Sequence, residues 1–326
     1  MRVAIVGAGI MGCAAAWALT KDGHEVVLYE QFRVGHDRGS SHGRSRIVRL
    51  AYPDVEWVRL AQKSMDGWRE LEQDSRTELL ELNGLLELVG DPSLTSRGAL
   101  AEAGAEFELL EADDARARWP IGVPDGWTVL YQPEAGIVRA DLALHAFLDC
   151  ALARGAELHE QTRIDDPREL EADAVVVTAG AWIGKLVHDV PVRPTRETLA
   201  YFRTEAVLPS IVRLDPETRG HAFYSLHDPK HGLKAGVHHA GIEVDPDEPG
   251  DPNPELLERI SNWVGATYRG VDPKPVDAET CLYTNTEDEG FIFDPRGRVL
   301  VCSACSGHGF KFAPAIGKRL AGLARA

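Results

Sequence analysis

The sequence predicts an α/β protein of two lobes, one built on a parallel sheet and one mostly antiparallel α+β. Three observations carry this expectation. The chain opens on VAIVGAGIMGCAAAWALT, which reads as strand, glycine turn and helix. A second unbroken β-branched run, residues 174–178, returns much later. Between Pro191 and Thr280, prolines, glycines and short alternating runs such as HAFYS and GLKAGVHH replace both patterns. At 326 residues the chain also exceeds one comfortable core, so two lobes are the default.

The first element is a strand over residues 3–6, followed at once by GAGIMG and a small-residue helix. In this order each glycine serves a distinct need. Gly7 permits the tight turn, Gly9 lets backbone approach a pyrophosphate, and Gly12 lets helix and strand pack closely. The helix N-terminus offers unsatisfied amide donors and a positive dipole end to the phosphates. A second strand over 25–29 ends at Glu30, whose carboxylate suits the ribose hydroxyls of an adenosine. This is a Rossmann-like fingerprint, and it leaves NAD and FAD both open. Met1-Arg2 and the uncharged run to Thr20 also have the outline of a signal peptide, with IMGC as a lipoprotein-like cleavage site. The three spaced glycines, and a second strand that would lose its partner on cleavage, argue against that.

A formal net charge of −16 argues against nucleic acid as a partner, because counterion release needs a basic face. No other uncharged run is long enough to span a bilayer. The five cysteines, Cys13, Cys150, Cys281, Cys302 and Cys305, are odd in number and scattered, which reads as reduced and cytoplasmic. Cys302 and Cys305 form a CxxC without the further ligands of a zinc site, so small apolar packing is their expected role and no metal is expected.

After Glu30 comes a loop rich in glycine and basic residues, VGHDRGSSHGRSRIVRLAY, unusual in so acidic a chain. His42, Arg44, Arg46 and Arg49 crowd there, at the carboxyl edge of the expected sheet where ligands bind. Apolar residues at three- and four-residue spacing predict a helix over 53–71. A strand over 84–89, a helix over 93–103, a strand over 127–131, a helix over 141–153 and a strand over 157–160 follow. The run AVVVT fits a parallel strand covered on both faces. Finally VLVCSACSGHGFKFAPAIGKRLAGL reads as strand, glycine turn and helix, returning the chain end to the first turn. The nucleotide lobe is therefore expected to comprise residues 1–75, 132–190 and 278–326, and the second lobe 76–131 and 191–277.

Four separated segments, VAIVGAGIMG, SSHGRSRIVRLAY, GLKAGVHHAGIEVDPD, and CLYTNTEDEGFIFD with SGHGFKF, resemble the monomeric sarcosine oxidase and N-methyltryptophan oxidase group within the D-amino-acid oxidase-like flavoenzymes. The resemblance implies a Rossmann-like FAD-binding domain with a mostly antiparallel substrate domain, and it implies FAD. Cys281 matches a cysteine bonded covalently to the flavin 8α-methyl carbon; on its residues alone it would be a buried small hydrophobe. Such a bond suits a thiolate whose pKa nearby cations lower.

By the same resemblance Arg49 and Lys311 hold the substrate carboxylate, for which a guanidinium fork and an ammonium point charge are suited. Arg46 stands over the flavin, and Lys234 on its other face activates oxygen, since a preplaced cation favours superoxide formation. His238, Tyr283 and Tyr224 match polar residues near the substrate. Ser41, His42, Gly307 and Gly309 join Gly7, Gly9, Gly12, Glu30, Arg46 and Lys311 around the cofactor. The reaction implied is hydride transfer from a secondary α-amino acid, N-methyl or cyclic, giving an imine, with oxygen reduced to hydrogen peroxide by a monomer. The alternatives are a noncovalent dehydrogenase using another electron acceptor and a nucleotide-binding sensor without catalysis. The chain is shorter than typical members, with the loss between Val207 and His221, and a trimmed second lobe would admit larger amines.

Overall fold

The computed structural model describes residues 1–214 and 222–325. Its first half runs β1 (Arg2–Val6), α1 (Ile10–Lys21), β2 (Glu25–Tyr29), β3 (Ser45–Val48), α2 (Val55–Ser75), β4 (Leu80–Glu81), β5 (Leu85–Val89), α3 (Arg97–Glu102), β6 (Glu108–Glu111), α4 (Ala112–Arg118), β7 (Thr128–Gln132), β8 (Gly136–Arg139) and α5 (Ala140–Ala153). Then come β9 (Glu157–His159), β10 (Ala174–Val177), α6 (Ile183–Leu186), β11 (Arg193–Arg203), β12 (Ser210–Leu214), β13 (Phe223–Asp228), β14 (Gly232–Val237) and β15 (Ile242–Glu243). The chain closes with α7 (Pro254–Thr267), β16 (Asp277–Asn285), β17 (Ile292–Arg296), β18 (Val299–Ser303) and α8 (Ala313–Leu323).

β1 lies inside a six-stranded sheet of order β17-β18-β10-β1-β2-β9, parallel except for β17. Its continuous apolar run has a simple cause. Val3 and Ile5 join the core beneath α1, while Ala4 and Val6 pack on the other face with Val175, Val177 and Ile183. α1 is buried on nearly every side, as an all-round apolar helix must be. A Cβ on Gly317 of α8 would stand 2.4 Å from the Ala14 carbonyl oxygen, so glycine is what lets α8 cross α1 this closely. β17 is the edge strand, where Pro295 removes no ladder donor that a neighbour needs.

The second lobe is a nine-stranded sheet of order β15-β11-β14-β13-β12-β5-β7-β6, with β16 on the other side of β11. All its pairs are antiparallel except β5 with β12. Strand alternation divides its two faces. Ala200, Phe202, Leu233 and Ala235 pack with Ile260, Trp263 and Val264 of α7. On the opposite face Tyr201 pairs with Lys234, and Leu199 with both Gly236 and Glu279. Glu197 pairs there with Cys281. That face looks toward the first lobe.

Four expectations change. Part of the basic loop, β3, is a strand that pairs with β8 in a small sheet of order β3-β8-β4. A helix, α7, sits inside the stretch read as antiparallel. Residues 277–285, divided at 278 between the lobes by the sequence reading, form a single strand that pairs along β11 and so belongs to the large sheet. The helix expected over 93–103 resolves into a 3-10 turn, Pro92–Leu94, and α3. Of the trimmed stretch between Val207 and His221, residues 215–221 lie outside the described residues.

Candidate active site

A cavity of about 600 Å³ runs from the first glycine turn to the inner face of the large sheet. At its nucleotide end Gly7 has a φ of +98°, and a Cβ there would stand 2.6 Å from the Thr178 carbonyl oxygen. A Cβ on Gly12 would stand 1.9 Å from the Gly7 carbonyl oxygen, so this residue sets the packing of α1 on the turn without lining the cavity. Gly9 caps α1 without a side chain of its own, and the Ser41 Oγ accepts from the Ile10 N–H at 3.0 Å. Ser41→Ala is expected to cost about 1 kcal/mol, a fall in Tm on the order of 2 °C, measured by thermal unfolding.

Glu30 is buried, and its two oxygens accept from Ala8 N–H and Phe32 N–H, each at 2.9 Å. A carboxylate has about four acceptor sites, so two bonds fix it and leave others for sugar hydroxyls. The residues therefore fit an adenosine diphosphate group: a cradle that any side chain would fill, a helix N-terminus and a fixed acid.

At the other end the sheet face presents Lys234, Tyr224, His238, Cys281 and Tyr283 to the cavity. Burial draws the Lys234 ammonium down to about 8, Arg46 adding to the effect and Glu279, 3.3 Å away, opposing it. Burial pushes the Cys281 thiol up to about 12 against the pull of Arg46 and Lys234. Cations that lower that pKa are present, but burial outweighs them. Arg46 comes from β3, its guanidinium held by the carbonyls of Ser40, His42 and Ser45 at 2.9, 2.6 and 2.9 Å. His238 Nδ1 and the Tyr283 hydroxyl lie 3.3 Å apart. Burial, and then the neighbouring His239, His308, Arg49 and Lys311, hold His238 neutral well below the usual range.

Arg49 and Lys311 meet around Tyr52. The Arg49 guanidinium lies 4.6 Å from the Tyr52 ring centre, and the Lys311 Nζ donates to the Tyr52 hydroxyl at 2.9 Å and to the His308 carbonyl at 2.7 Å. α2 fixes this lysine's backbone: Ser64 Oγ and Trp68 Nε1 both donate to the Lys311 carbonyl at 2.8 Å. Asp54 caps α2 by accepting from Glu56 N–H. Burial and then Arg49 hold the Lys311 ammonium well below its ordinary pKa. Gly307 and Gly309 also line this end, and a Cβ on Gly307 would stand 2.2 Å from the Tyr283 ring.

One residue named from the sequence sits differently. His42 does not line the cavity; it lies buried behind Arg46, its Nδ1 3.9 Å from Glu279, with its pKa lowered to about 4 by burial and Arg46. The sequence reading missed Tyr52, Glu87, Tyr201 and Glu279. Glu87 is buried 3.5 Å from Arg49 and accepts from the Ser96 hydroxyl and N–H. Tyr52 and Glu279 had a signal, at three residues from Arg49 and two from Cys281.

A family profile described as FAD dependent oxidoreductase matches residues 2–323. This chain belongs to that family. The oxidoreductase is 31% identical over 358 residues to monomeric sarcosine oxidase of Bacillus sp. (strain B-0618), covering 99% of this chain and 91% of that one. It is 31% identical to the peroxisomal sarcosine oxidase of Mus musculus, covering 97% and 90%. It is 27% identical to N-methyl-L-tryptophan oxidase of Salmonella heidelberg (strain SL476), covering 98% and 93%. Two solved structures share its fold: the open form of NikD, an amino acid oxidase of nikkomycin biosynthesis, with TM-score 0.85 at 23% identity over 99% and 93% of the chains, and L-proline dehydrogenase from P. horikoshii, with TM-score 0.85 at 21% over 99% and 92%. The α/β architecture with a Rossmann-like FAD domain and a second domain is thus the family's. Among the described residues, no helix is long and apolar enough to cross a membrane.

Proposed function

We propose that this FAD-dependent oxidoreductase is an oxidase of secondary α-amino acids, N-methyl or cyclic, acting on the CH–NH bond. The observation that supports this best is the pair of cations, the half-buried Arg49 and the buried Lys311, flanking Tyr52 in the same cavity that the glycine turn opens. A substrate carboxylate gripped by both orients the rest of the molecule toward the sheet face. Cations around the amine lower its pKa and select the neutral form, whose lone pair is needed for hydride loss. Tyr224, Tyr283 and the neutral His238 offer hydrogen-bonding groups on that face without adding charge. FAD, when bound, would supply the hydride acceptor, and its reoxidation would convert oxygen to hydrogen peroxide. Lys234 and Arg46 put positive charge where oxygen gains an electron.

In this reading Cys281 tethers the cofactor, the other named residues hold it or the substrate, and an open-chain imine product is hydrolysed by water to an aldehyde and the amino acid, while a cyclic amine gives a cyclic imine. The partners are a small secondary amino acid and oxygen, and the enzyme acts as a cytoplasmic monomer, in keeping with five scattered free cysteines. The test is anaerobic bleaching of the flavin band by a panel of N-methyl and cyclic amino acids, followed by oxygen-uptake measurements. Bleaching by such amines with oxygen uptake supports the oxidase. Bleaching without oxygen uptake indicates a dehydrogenase, and a flavin bleached by none of them rejects the proposal.

A further inference from the structure

We propose that Glu279 is the positioning residue of Lys234: its carboxylate, steered by the Tyr201 hydroxyl, holds the lysine against the cavity wall as an ammonium. This rests on the reading of Lys234 as the oxygen-side cation. The arrangement follows from register. Tyr201 on β11 lies directly opposite Lys234 on β14, while Leu199, two residues earlier, lies opposite Glu279 on β16. Side chains two apart share a face, so three adjacent strands aim Lys234, Tyr201 and Glu279 into one space.

There the Lys234 Nζ stands 3.3 Å from Glu279 Oε1, and the Tyr201 O–H donates to that same oxygen. The Nζ also stands 5.4 Å from the Tyr201 ring centre. The loop before β3 closes over the group at Gly43. A Cβ on Gly43, whose φ is +89°, would stand 3.2 Å from an Arg46 nitrogen, 3.3 Å from Glu279 Oε1 and 3.5 Å from the Lys234 Nζ.

The charge around Lys234 makes the carboxylate necessary. Facing it are Arg46 from β3, His42 from the loop before it, the Tyr201 hydroxyl from β11, and Glu279 and the Cys281 thiol from β16. Arg44, stacked 5.1 Å from the Tyr201 ring centre, is itself paired with Asp228 at 3.0 Å. Among these groups Glu279 is the one carboxylate directed at the lysine. Lys234 is 2% exposed, and a buried ammonium beside a guanidinium gives up its proton readily unless an anion stands close. Glu279 meets that need: burial works against its charge, but Lys234, the Tyr201 hydroxyl, His42 and Arg46 together hold it down to about 2.

The test follows the titration of Lys234 itself, by 13C NMR of lysine ε-carbons in the flavin-loaded enzyme, the resonance being assigned by its loss in Lys234→Met. In Glu279→Gln the midpoint is expected to fall by about one pH unit or more, with Glu279→Asp between the two. Photochemically reduced Glu279→Gln enzyme mixed with oxygen is expected to reoxidise ~10-fold or more slowly at pH 8 and to approach the parent rate as pH falls. Its reduction by substrate should fall far less. An unchanged Lys234 midpoint, or a loss equal in both half-reactions at every pH, overturns the proposal and leaves Glu279 a packing residue. If Lys234→Met reoxidises as fast as the parent, the role of Lys234 in oxygen reduction fails instead, while the NMR titration still decides whether Glu279 holds its charge.

Discussion

Lys311→Met is expected to lower kcat/KM for the amino acid substrate by ~10²–10³-fold. Removing one partner of a buried, hydrogen-bonded charge pair costs about 3–4 kcal/mol, and each 1.4 kcal/mol is tenfold in rate. Methionine keeps the stem that packs beneath Tyr52 and removes only the ammonium. Arg49→Lys is expected to cost less than Arg49→Ala, because alanine also leaves the buried Glu87 without its cation. The pH dependence separates the two groups. Burial and Arg49 hold Lys311 well below its ordinary pKa in the free enzyme, whereas a carboxylate beside it favours the ammonium. Where free Lys311 is neutral, binding takes up a proton, so substrate affinity falls as pH rises, by up to about tenfold per pH unit. The substrate amine must lose its proton to react, which gives a rise in the opposite sense at lower pH. Anaerobic reduction rates should therefore trace a bell. Lys311→Met should keep the acid limb and lose the alkaline one; an alkaline limb that persists in this variant removes Lys311 from carboxylate binding.

The parts of this site that the sequence made visible are those whose physics is local. The glycines of GAGIMG must sit between a strand and a helix to be useful, and the flanking residues say so. The mostly three- and four-residue spacing of Trp57, Leu60, Ala61, Met65, Trp68 and Leu71 shows α2 before any tertiary contact is known. Other features depend on pairing that a single chain does not advertise. Tyr201 and Glu279 are 78 residues apart, and nothing in either segment says that β11 runs beside β16. β3 is four residues long, flanked by glycines and arginines, and is a strand only because β8 lies alongside. For α7 the signal was present: Asn253 caps, Pro254 opens, and Leu256, Ile260, Trp263 and Val264 are spaced as a buried stripe. The prolines and glycines around it dominate the composition and conceal the helix.

Cys281→Ala is expected to release all of the flavin on denaturation, whereas the parent protein should carry a flavin-sized mass on its polypeptide after unfolding. The thiol lies in an apolar niche with Leu199, Tyr224 and Tyr283, which sets the rate at which such a bond forms. With the thiol pushed up to about 12, only ~10⁻⁴ of it is thiolate at pH 8, and that fraction grows about tenfold with each pH unit below the pKa. Apoprotein mixed with FAD should therefore bind it first and tether it afterwards, the second step quickening with pH. Lys234→Met should slow the tethering, since Lys234 is one of the two cations that favour the thiolate. Cys305 is the informative control. It lines the same cavity, but its sulfur accepts from the Thr284 N–H at 3.4 Å and so is engaged by the strand that carries Cys281. Cys305→Ala should retain the bound mass. If Cys281→Ala retains it and Cys305→Ala does not, the tether is the cysteine of the glycine turn, and the flavin is held from the side of β18 instead of β16.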